Sequence, residues 1–142
     1  MTDLAQNIQQ PWLYAVAAVV CVLIGWPVWR SRTRGTKDAR RMYTRDERLR
    51  GFARAGGQCE YDRWWFWRCT RTAEHGDHFY PWSKGGATSM RNYVAACVRC
   101  NLIKSAHVPT GAQRMRIMAR RARYFPVGVP TEVGEWHRGG RR

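Results

Sequence analysis

Four cysteines constrain the fold of this chain more than any other feature of its sequence. They are Cys59, Cys69, Cys97 and Cys100, and the last two form a C-x2-C motif. The surrounding segment is so rich in arginine that its hydrophobic core must be thin, which a bound metal ion would offset. These positions therefore predict a structural Zn²⁺ site of four thiolates, the alternative being four unrelated buried thiols. Cys21 makes the count odd, which fits a full set of disulfides poorly.

The charge of the chain is strongly positive. Its 142 residues carry 25 Lys and Arg against 10 Asp and Glu, a formal net charge of +15. Up to Trp29 the only charged side chain is Asp3, so the excess lies almost entirely in the remainder. Such an imbalance favours a polyanionic partner, either nucleic acid or an acidic membrane surface. Composition alone does not choose between them.

An uncharged apolar run, WLYAVAAVVCVLIGWPVW, occupies residues 12–29. As a helix it would rise roughly 27 Å, close to the hydrocarbon thickness of a bilayer. Tryptophan and tyrosine lie near both ends, where amphipathic rings favour the membrane interface. We therefore expect one N-terminal transmembrane helix. Two alternatives are a signal peptide, which would need a basic segment within residues 1–10, and a buried core helix, which would need a larger domain around it. If the run were cleaved as a signal peptide, the protein would be secreted.

The basic segment RSRTRGTKDARR follows the apolar run at residues 30–41. Basic flanks stay on the cytoplasmic side, so we expect a single-pass cell-membrane protein with its N-terminus outside and the rest inside. The predicted division is a short N-terminal segment over 1–11, the span over 12–29 and a basic juxtamembrane linker over 30–43. A domain over 44–125 and a disordered basic tail over 126–142 complete it. Cytoplasmic thiols stay reduced, which favours metal binding over disulfides.

Local patterns place the elements of the domain coarsely. Thr44 and Glu47 form a capping box that begins a helix, and a second capping box at Thr110 and Gln113 begins the last helix. Strands are predicted over residues 73–80 and 93–96, followed by a helix over 98–106. The aromatic stretch RWWFWR at 63–68 is expected to pack over the thin core, the alternatives being stacking on bases or contact with lipid.

Two stretches carry a family resemblance: GGQCEYD, and EHGDHFYPWSKGGATSMRNYVAACVRCNLIKS, together spanning roughly residues 56–105. An Asp-His pair, a Pro-x-Ser-x-Gly-Gly loop, an asparagine, a hydrophobic strand and Cys-x2-Cys-Asn followed by lysine occur in that order. This succession resembles the HNH endonuclease family. The resemblance implies an α+β fold: a small ββα-metal domain with a four-cysteine zinc site, flanking helices and, here, the N-terminal transmembrane helix.

The resemblance also assigns roles to individual residues. His78 resembles the general base, Asp77 and Asn101 resemble the ligands of a catalytic divalent ion, and Asn92 resembles the residue that fixes the loop and orients His78. Asn101 stands where many members have histidine, so the chain resembles the His-Asn-Asn variant. Oxygen ligands suit Mg²⁺ or Mn²⁺. Phosphodiester hydrolysis needs an activated water, which an imidazole can supply. His75 is expected to be an ordinary polar residue at a strand end, the alternative being a residue that lines the site or supports it from behind.

Basic side chains on the last two helices are candidates for DNA contacts. Lys104 lies one helical turn after Asn101, and its alternative is a solvated surface lysine. The last predicted helix contains five arginines and no acidic residue: Arg114, Arg116, Arg120, Arg121 and Arg123. They are predicted to contact DNA phosphates, the alternative being a solvated helix face.

Two functions follow from these patterns. The first is a membrane-anchored HNH endonuclease that hydrolyses DNA with one divalent ion and a histidine base. The second is a catalytically inactive zinc-knuckle module that binds DNA at the membrane. The intact set of Asp77, His78, Asn92 and Asn101 favours the first. The sequence specifies neither the form of the nucleic acid nor the oligomeric state.

Overall fold

Three helices and two short antiparallel hairpins build the part of the chain that carries the motifs. The computed structural model describes residues 12, 14–21, 23, 36–64 and 66–137. The helices are α1 Arg45–Arg54, α2 Val98–Lys104 and α3 Gly111–Tyr124, and the strands are β1 Asp62–Arg63, β2 Trp67–Arg68, β3 His75–His78 and β4 Tyr93–Ala96. The fold is α+β, as predicted.

The chain divides into two units, residues 1–34 and 35–142. In the first unit, helix is described at residue 12, over 14–21 and at residue 23. Among the residues that the structure describes, no helix is both long and apolar enough to cross a membrane. The transmembrane helix predicted over 12–29 therefore has no support from the structure. Residues 13, 22 and 24–29 of this run lie outside the described residues.

The second hairpin and α2 form the predicted ββα unit. Strands β3 and β4 pair antiparallel, with Asp77 opposite Val94 and His78 opposite Tyr93. All four residues of β4 are buried, so this strand lies within the core. The residues of β3 are exposed or partly buried. Cys97 follows β4 directly and caps α2, because its sulfur accepts a hydrogen bond from the Cys100 amide. The unit thus places Asp77 and His78 on β3 beside the C-terminal end of α2.

Helix α3 is held by a buried ion pair. Arg121 and Glu60 have side chains 2% and 1% exposed, and the guanidinium donates to both carboxylate oxygens at 2.7 and 3.0 Å. The same guanidinium donates to the carbonyl oxygen of Tyr93 on β4. Glu60 also accepts from the backbone of Ala95 and the hydroxyl of Tyr124. A charge this deep is stable only with such partners, so the pair fixes α3 against the hairpin.

Four of the five arginines of α3 predicted to contact DNA have partners within the chain, and their contact with DNA stays a prediction. Arg121 is buried, and Arg116 and Arg120 donate to the Asp62 carboxylate at 2.7 and 2.6 Å. Arg114 donates to the carbonyl oxygen of Val133. Of the five, Arg123 alone is exposed. The guanidinium groups turn toward acids and carbonyls supplied by distant parts of the chain, which the local sequence of the helix does not reveal.

The prediction of a disordered tail over 126–142 also differs from the structure. Val133 is completely buried and joins the core that contains Phe79, Val94 and Ile117. Trp136 stacks on Tyr80 with ring centroids 4.3 Å apart and planes at 4°. Residues 126–137 thus close the domain, because an apolar valine and tryptophan interrupt the Gly, Pro and Arg composition. Residues 138–142 lie outside the described residues.

Three aromatic residues described in the stretch at 63–68 do not cover the core. Trp64, Phe66 and Trp67 are 74%, 62% and 78% exposed at the turn of the first hairpin. The core is instead filled by smaller residues and by Phe79, Tyr93 and the buried ion pair. The prediction that this stretch packs over the core is therefore wrong for these three residues.

Candidate metal centre and active site

The four predicted cysteines come together at one point. Their sulfur atoms all lie within 4.8 Å of one another, which is the spacing of thiolates around one tetrahedral ion. Cys69 and Cys97 are separated by 4.0 Å between sulfurs. Cys97 and Cys100 belong to the first turn of α2, and Cys59 and Cys69 flank the first hairpin.

The hairpin explains the long interval between Cys59 and Cys69. Strands β1 and β2 reverse the chain, and the amide of Cys69 donates to the carbonyl of Tyr61 at 2.9 Å. The two cysteines therefore return to the same place despite the residues between them. Asp62, which stands where a second nearby cysteine might be expected, pairs with Arg116 and Arg120.

The electrostatics of the cluster fit a metal ion. Burial raises the pKa of the Cys59 thiol to about 12 and also raises the pKa of Cys100. Burial opposes ionisation of Cys97 too, but hydrogen bonds from the Cys100 amide and the neighbouring thiols outweigh it and lower its pKa. Crowded buried thiols become thiolates only when a cation compensates their charge. The donor set of four sulfurs suits Zn²⁺.

A second site lies in an open cleft at the end of β3. The cleft has a volume of about 270 Å³, and its walls include Asp77, His78, Lys104 and Arg41. A 3-10 turn at Trp82–Lys84 forms another wall. The cleft therefore combines one carboxylate, one imidazole and two cationic side chains, a set that can hold a phosphate diester and move a proton.

The imidazole of His78 is fixed by two neighbours that the sequence analysis did not single out. Tyr43 stacks on the imidazole with ring centroids 4.6 Å apart. The Nε2 atom of His78 lies 3.0 Å from the hydroxyl oxygen of Thr88. That hydroxyl donates its single proton to the carbonyl oxygen of Arg40. Because the hydroxyl has no second proton, it must accept from Nε2–H, which assigns the tautomer and leaves the lone pair on Nδ1.

The environment keeps this imidazole neutral. Burial lowers the pKa of His78 to about 4, an effect that the nearby carboxylate of Asp77 opposes and Lys104 reinforces. A neutral ring has an acceptor nitrogen at physiological pH, which is what a general base requires.

Residues 36–43, which we call the strap, pack beside the cleft. The carboxylate of Asp38 accepts from the Thr88 amide at 2.8 Å, and the Trp82 indole donates to the Asp38 carbonyl at 2.9 Å. Arg40 donates to both carboxylate oxygens of Glu47 on α1. The prediction assigned these residues to a juxtamembrane linker. They belong to the second unit instead, because Asp38, Arg40 and Tyr43 each have a partner there.

The loop between β3 and β4 is tied by Asn92. This side chain is completely buried, and its amide nitrogen donates to the carbonyls of Tyr80 and Ala87 at 3.0 and 2.7 Å. Its amide oxygen accepts from the backbone of Tyr80 at 2.9 Å. At Gly86 a Cβ atom would lie 1.8 Å from the Tyr80 carbonyl oxygen, so only glycine permits this approach. These contacts fix the backbone next to His78.

Asp77 has two partners on the same oxygen. Its Oδ2 accepts from the Tyr61 hydroxyl at 2.6 Å and pairs with the Lys104 ammonium at 3.0 Å. Burial raises the pKa of Tyr61 well above its usual range, so the phenol remains a donor. The Lys104 side chain is only 8% exposed and also donates to the His78 carbonyl. Lys104 is therefore a nearly buried part of the site and not the solvated surface lysine that was the alternative; its contact with a phosphate stays a prediction.

Asn101 and His75 do not line the cleft that contains Asp77 and His78. Asn101 is partly buried in α2, and it is not among the described residues that line the cleft. His75 is exposed at the start of β3, opposite Ala96. The structure thus brings Asp77, His78 and Lys104 together and leaves Asn101 one turn away along the helix.

Replacing Thr88 tests whether its hydroxyl positions the imidazole. Thr88→Val keeps the shape but removes the acceptor for Nε2, and we expect the imidazole to lose its fixed tautomer and orientation. Nitrogen chemical shifts of the His78 ring should show loss of the Nε2–H tautomer. The matched variant Thr72→Val alters an exposed threonine and should leave these shifts unchanged. An unaltered tautomer in Thr88→Val would contradict the assignment.

Comparison with known proteins agrees with the geometry over part of the chain. The family model described as HNH endonuclease matches residues 67–107. The matched stretch contains the Asp77-His78 pair, Asn92 and the Cys97-Cys100 motif, and it ends before α3. No curated protein and no solved structure matches the chain. The match supports the resemblance and indicates a nuclease or DNA-binding function that uses divalent metal.

Proposed function

We propose that the chain is an HNH endonuclease that hydrolyses phosphodiester bonds of DNA with a divalent ion and His78 as the base. The observation that carries this proposal is the position of the His78 imidazole, which contacts Thr88 and Tyr43 and lines a cleft that also contains Asp77. A neutral imidazole held in one tautomer next to a carboxylate is suited to accepting a proton. A module that only binds DNA has no need of that arrangement.

In this reaction His78 accepts the proton of a water molecule through Nδ1. The water oxygen forms a bond to phosphorus while the bond between phosphorus and the 3′-oxygen breaks, and the departing oxygen is protonated from solvent. Arg41 and Lys104 line the cleft, so their positive charges attract and orient the phosphate. Tyr43 and Thr88 keep the ring in place during proton transfer.

Asp77 is the clearest ligand for a divalent ion, and the family resemblance gives Asn101 as the second. Both described bonds to the Asp77 carboxylate go to Oδ2, so Oδ1 is the oxygen that would hold the ion. Such an ion, when bound, would neutralise charge on the phosphate and on the departing oxygen. Oxygen ligands suit Mg²⁺ or Mn²⁺ better than softer metals.

One observation favours the second candidate, a zinc-knuckle module without catalysis. Lys104 satisfies the charge of Asp77 within the protein, and Asn101 does not line the cleft. A plasmid-nicking assay with the full, zinc-loaded chain separates the two. We expect nicked circles with added Mg²⁺ or Mn²⁺ and none without them. Binding of plasmid without cleavage under either ion would favour the second candidate.

Anchoring in the cell membrane, with the N-terminus outside and the nuclease domain cytoplasmic, stays a prediction. It depends on the apolar run over 12–29 and on the basic residues after it. Retention of the full chain in the membrane fraction after alkaline carbonate extraction would support it, whereas release into the supernatant would oppose it.

A further inference from the structure

The turn of the first hairpin exposes three large aromatic side chains. Trp64, Phe66 and Trp67 are each more than half exposed, and Trp64 has a backbone φ of 44°, a conformation that residues with bulky side chains rarely adopt. Clustered exposed aromatics on a small domain usually mark a contact surface. The nuclease site described above does not use them.

Trp64 differs from Trp67 in its surroundings. It lines a hollow of about 290 Å³ whose other walls include Arg63, Arg71, Arg99 and Ile103. The three arginines are exposed, and none of the ion pairs among the described residues involves them. Trp67 does not line this hollow. An indole face bordered by unpaired guanidinium groups matches an aromatic base flanked by phosphates.

The hollow continues toward the active-site cleft along α2. A second hollow of about 220 Å³ shares Asp62, Cys100 and Ile103 with the first, and it reaches Lys104 and His107. Lys104 also lines the cleft that contains His78. The shared walls make a continuous path from Trp64 to His78 around α2. A single strand whose phosphate lies at His78 can follow this path to Trp64.

We propose that the hollow beside Trp64 binds an unpaired nucleotide of the substrate, with its base stacked on the indole and its flanking phosphates held by Arg63, Arg71 and Arg99. This inference rests on the proposed function, because it names the strand that the same active site would cut. Bases inside a duplex are stacked on both faces, so a free base requires a single strand, a flap or a frayed end. The hollow thus selects substrates that offer unpaired nucleotides.

Binding of fluorescein-labelled oligo(dT) to the full, zinc-loaded chain without Mg²⁺ tests the proposal. We expect Trp64→Ala to weaken this binding about 5- to 100-fold, and Trp64→Phe to keep it within about threefold of wild type. Binding of the matching duplex should change little. The control Trp67→Ala removes an equally exposed indole from the same hairpin and should leave affinity unchanged.

The arginines have their own test in the salt dependence of binding. Arg99→Ala should reduce the slope of log affinity against log salt by about one, whereas the exposed Arg50→Ala on α1 should not. Equal losses in Trp64→Ala and Trp67→Ala, or no loss in either, would overturn the proposal. So would a Trp64→Ala variant that binds oligo(dT) normally but loses binding to phosphatidylserine vesicles, because the indole would then face lipid. These experiments measure binding and not cleavage. A failed nicking assay would therefore count against the proposed function without deciding whether the hollow binds an unpaired nucleotide.

Discussion

Removal of zinc is expected to unfold the domain. The four cysteines connect the end of the first hairpin to the start of α2, and the core around them contains few large apolar side chains. Structural zinc sites contribute about 10–16 kcal/mol of apparent binding free energy in small domains, which is comparable to the whole stability of a typical domain, about 5–15 kcal/mol. Cys97→Ser or treatment with a strong zinc chelator should therefore abolish the near-ultraviolet circular dichroism signal.

The fifth cysteine provides the matched control for this experiment. Cys21 is exposed and lies outside the cluster, so Cys21→Ser should keep one zinc ion per chain and the wild-type signal. Cys97→Ser should lose the zinc. A Cys97→Ser variant that stays folded with its zinc bound, or a wild-type chain that contains no zinc and is folded, would show that the cluster is an ordinary group of buried thiols.

Arg121→Ala is expected to destabilise the domain by about 3–5 kcal/mol, because it leaves the Glu60 carboxylate buried without a counter-charge. The pair has side chains 2% and 1% exposed, so water cannot replace the lost partner. The measurement is the free energy of unfolding in urea. Arg123→Ala removes an exposed guanidinium two residues away and should change this energy by less than about 0.5 kcal/mol.

A milder substitution keeps this prediction testable if Arg121→Ala fails to fold. Tyr124→Phe removes only the hydroxyl that donates to Glu60 at 2.8 Å, and should cost about 1.5–3 kcal/mol, the usual range for a hydrogen bond to a charged group. Equal stabilities of wild type, Tyr124→Phe and Arg121→Ala would refute the role of the buried pair. They would also favour Arg121 as a candidate for nucleic-acid contact.

The features that the sequence predicted well are local in the chain. The C-x2-C motif lies in one helical turn, so its spacing alone brings two sulfurs together. Thr44 and Thr110 cap their helices through residues three positions later, and both capping boxes are confirmed. The pairing of β3 with β4 follows from two strand patterns separated by one loop. In each case the deciding contact lies within a short stretch of sequence.

The features that the sequence did not reveal depend on distant partners. Arg121 and Arg123 are identical residues two positions apart, and only Glu60, far earlier in the chain, makes the first a core residue. Tyr43 and Thr88 carry no motif, yet both contact His78. The aromatic stretch was predicted to pack over the thin core, whereas Trp64 is exposed and the core closes with Val133 from the predicted tail. These outcomes required the tertiary structure.

The most direct test of the central claim is the nicking rate of the full, zinc-loaded chain with and without its proposed base. His78→Ala, assayed with Mg²⁺ and plasmid DNA, should reduce the rate about 10²- to 10⁴-fold while zinc content stays at the wild-type level. His75→Ala alters an exposed histidine on the same strand and should retain the wild-type rate. A His78→Ala variant that nicks DNA as fast as wild type would contradict the account.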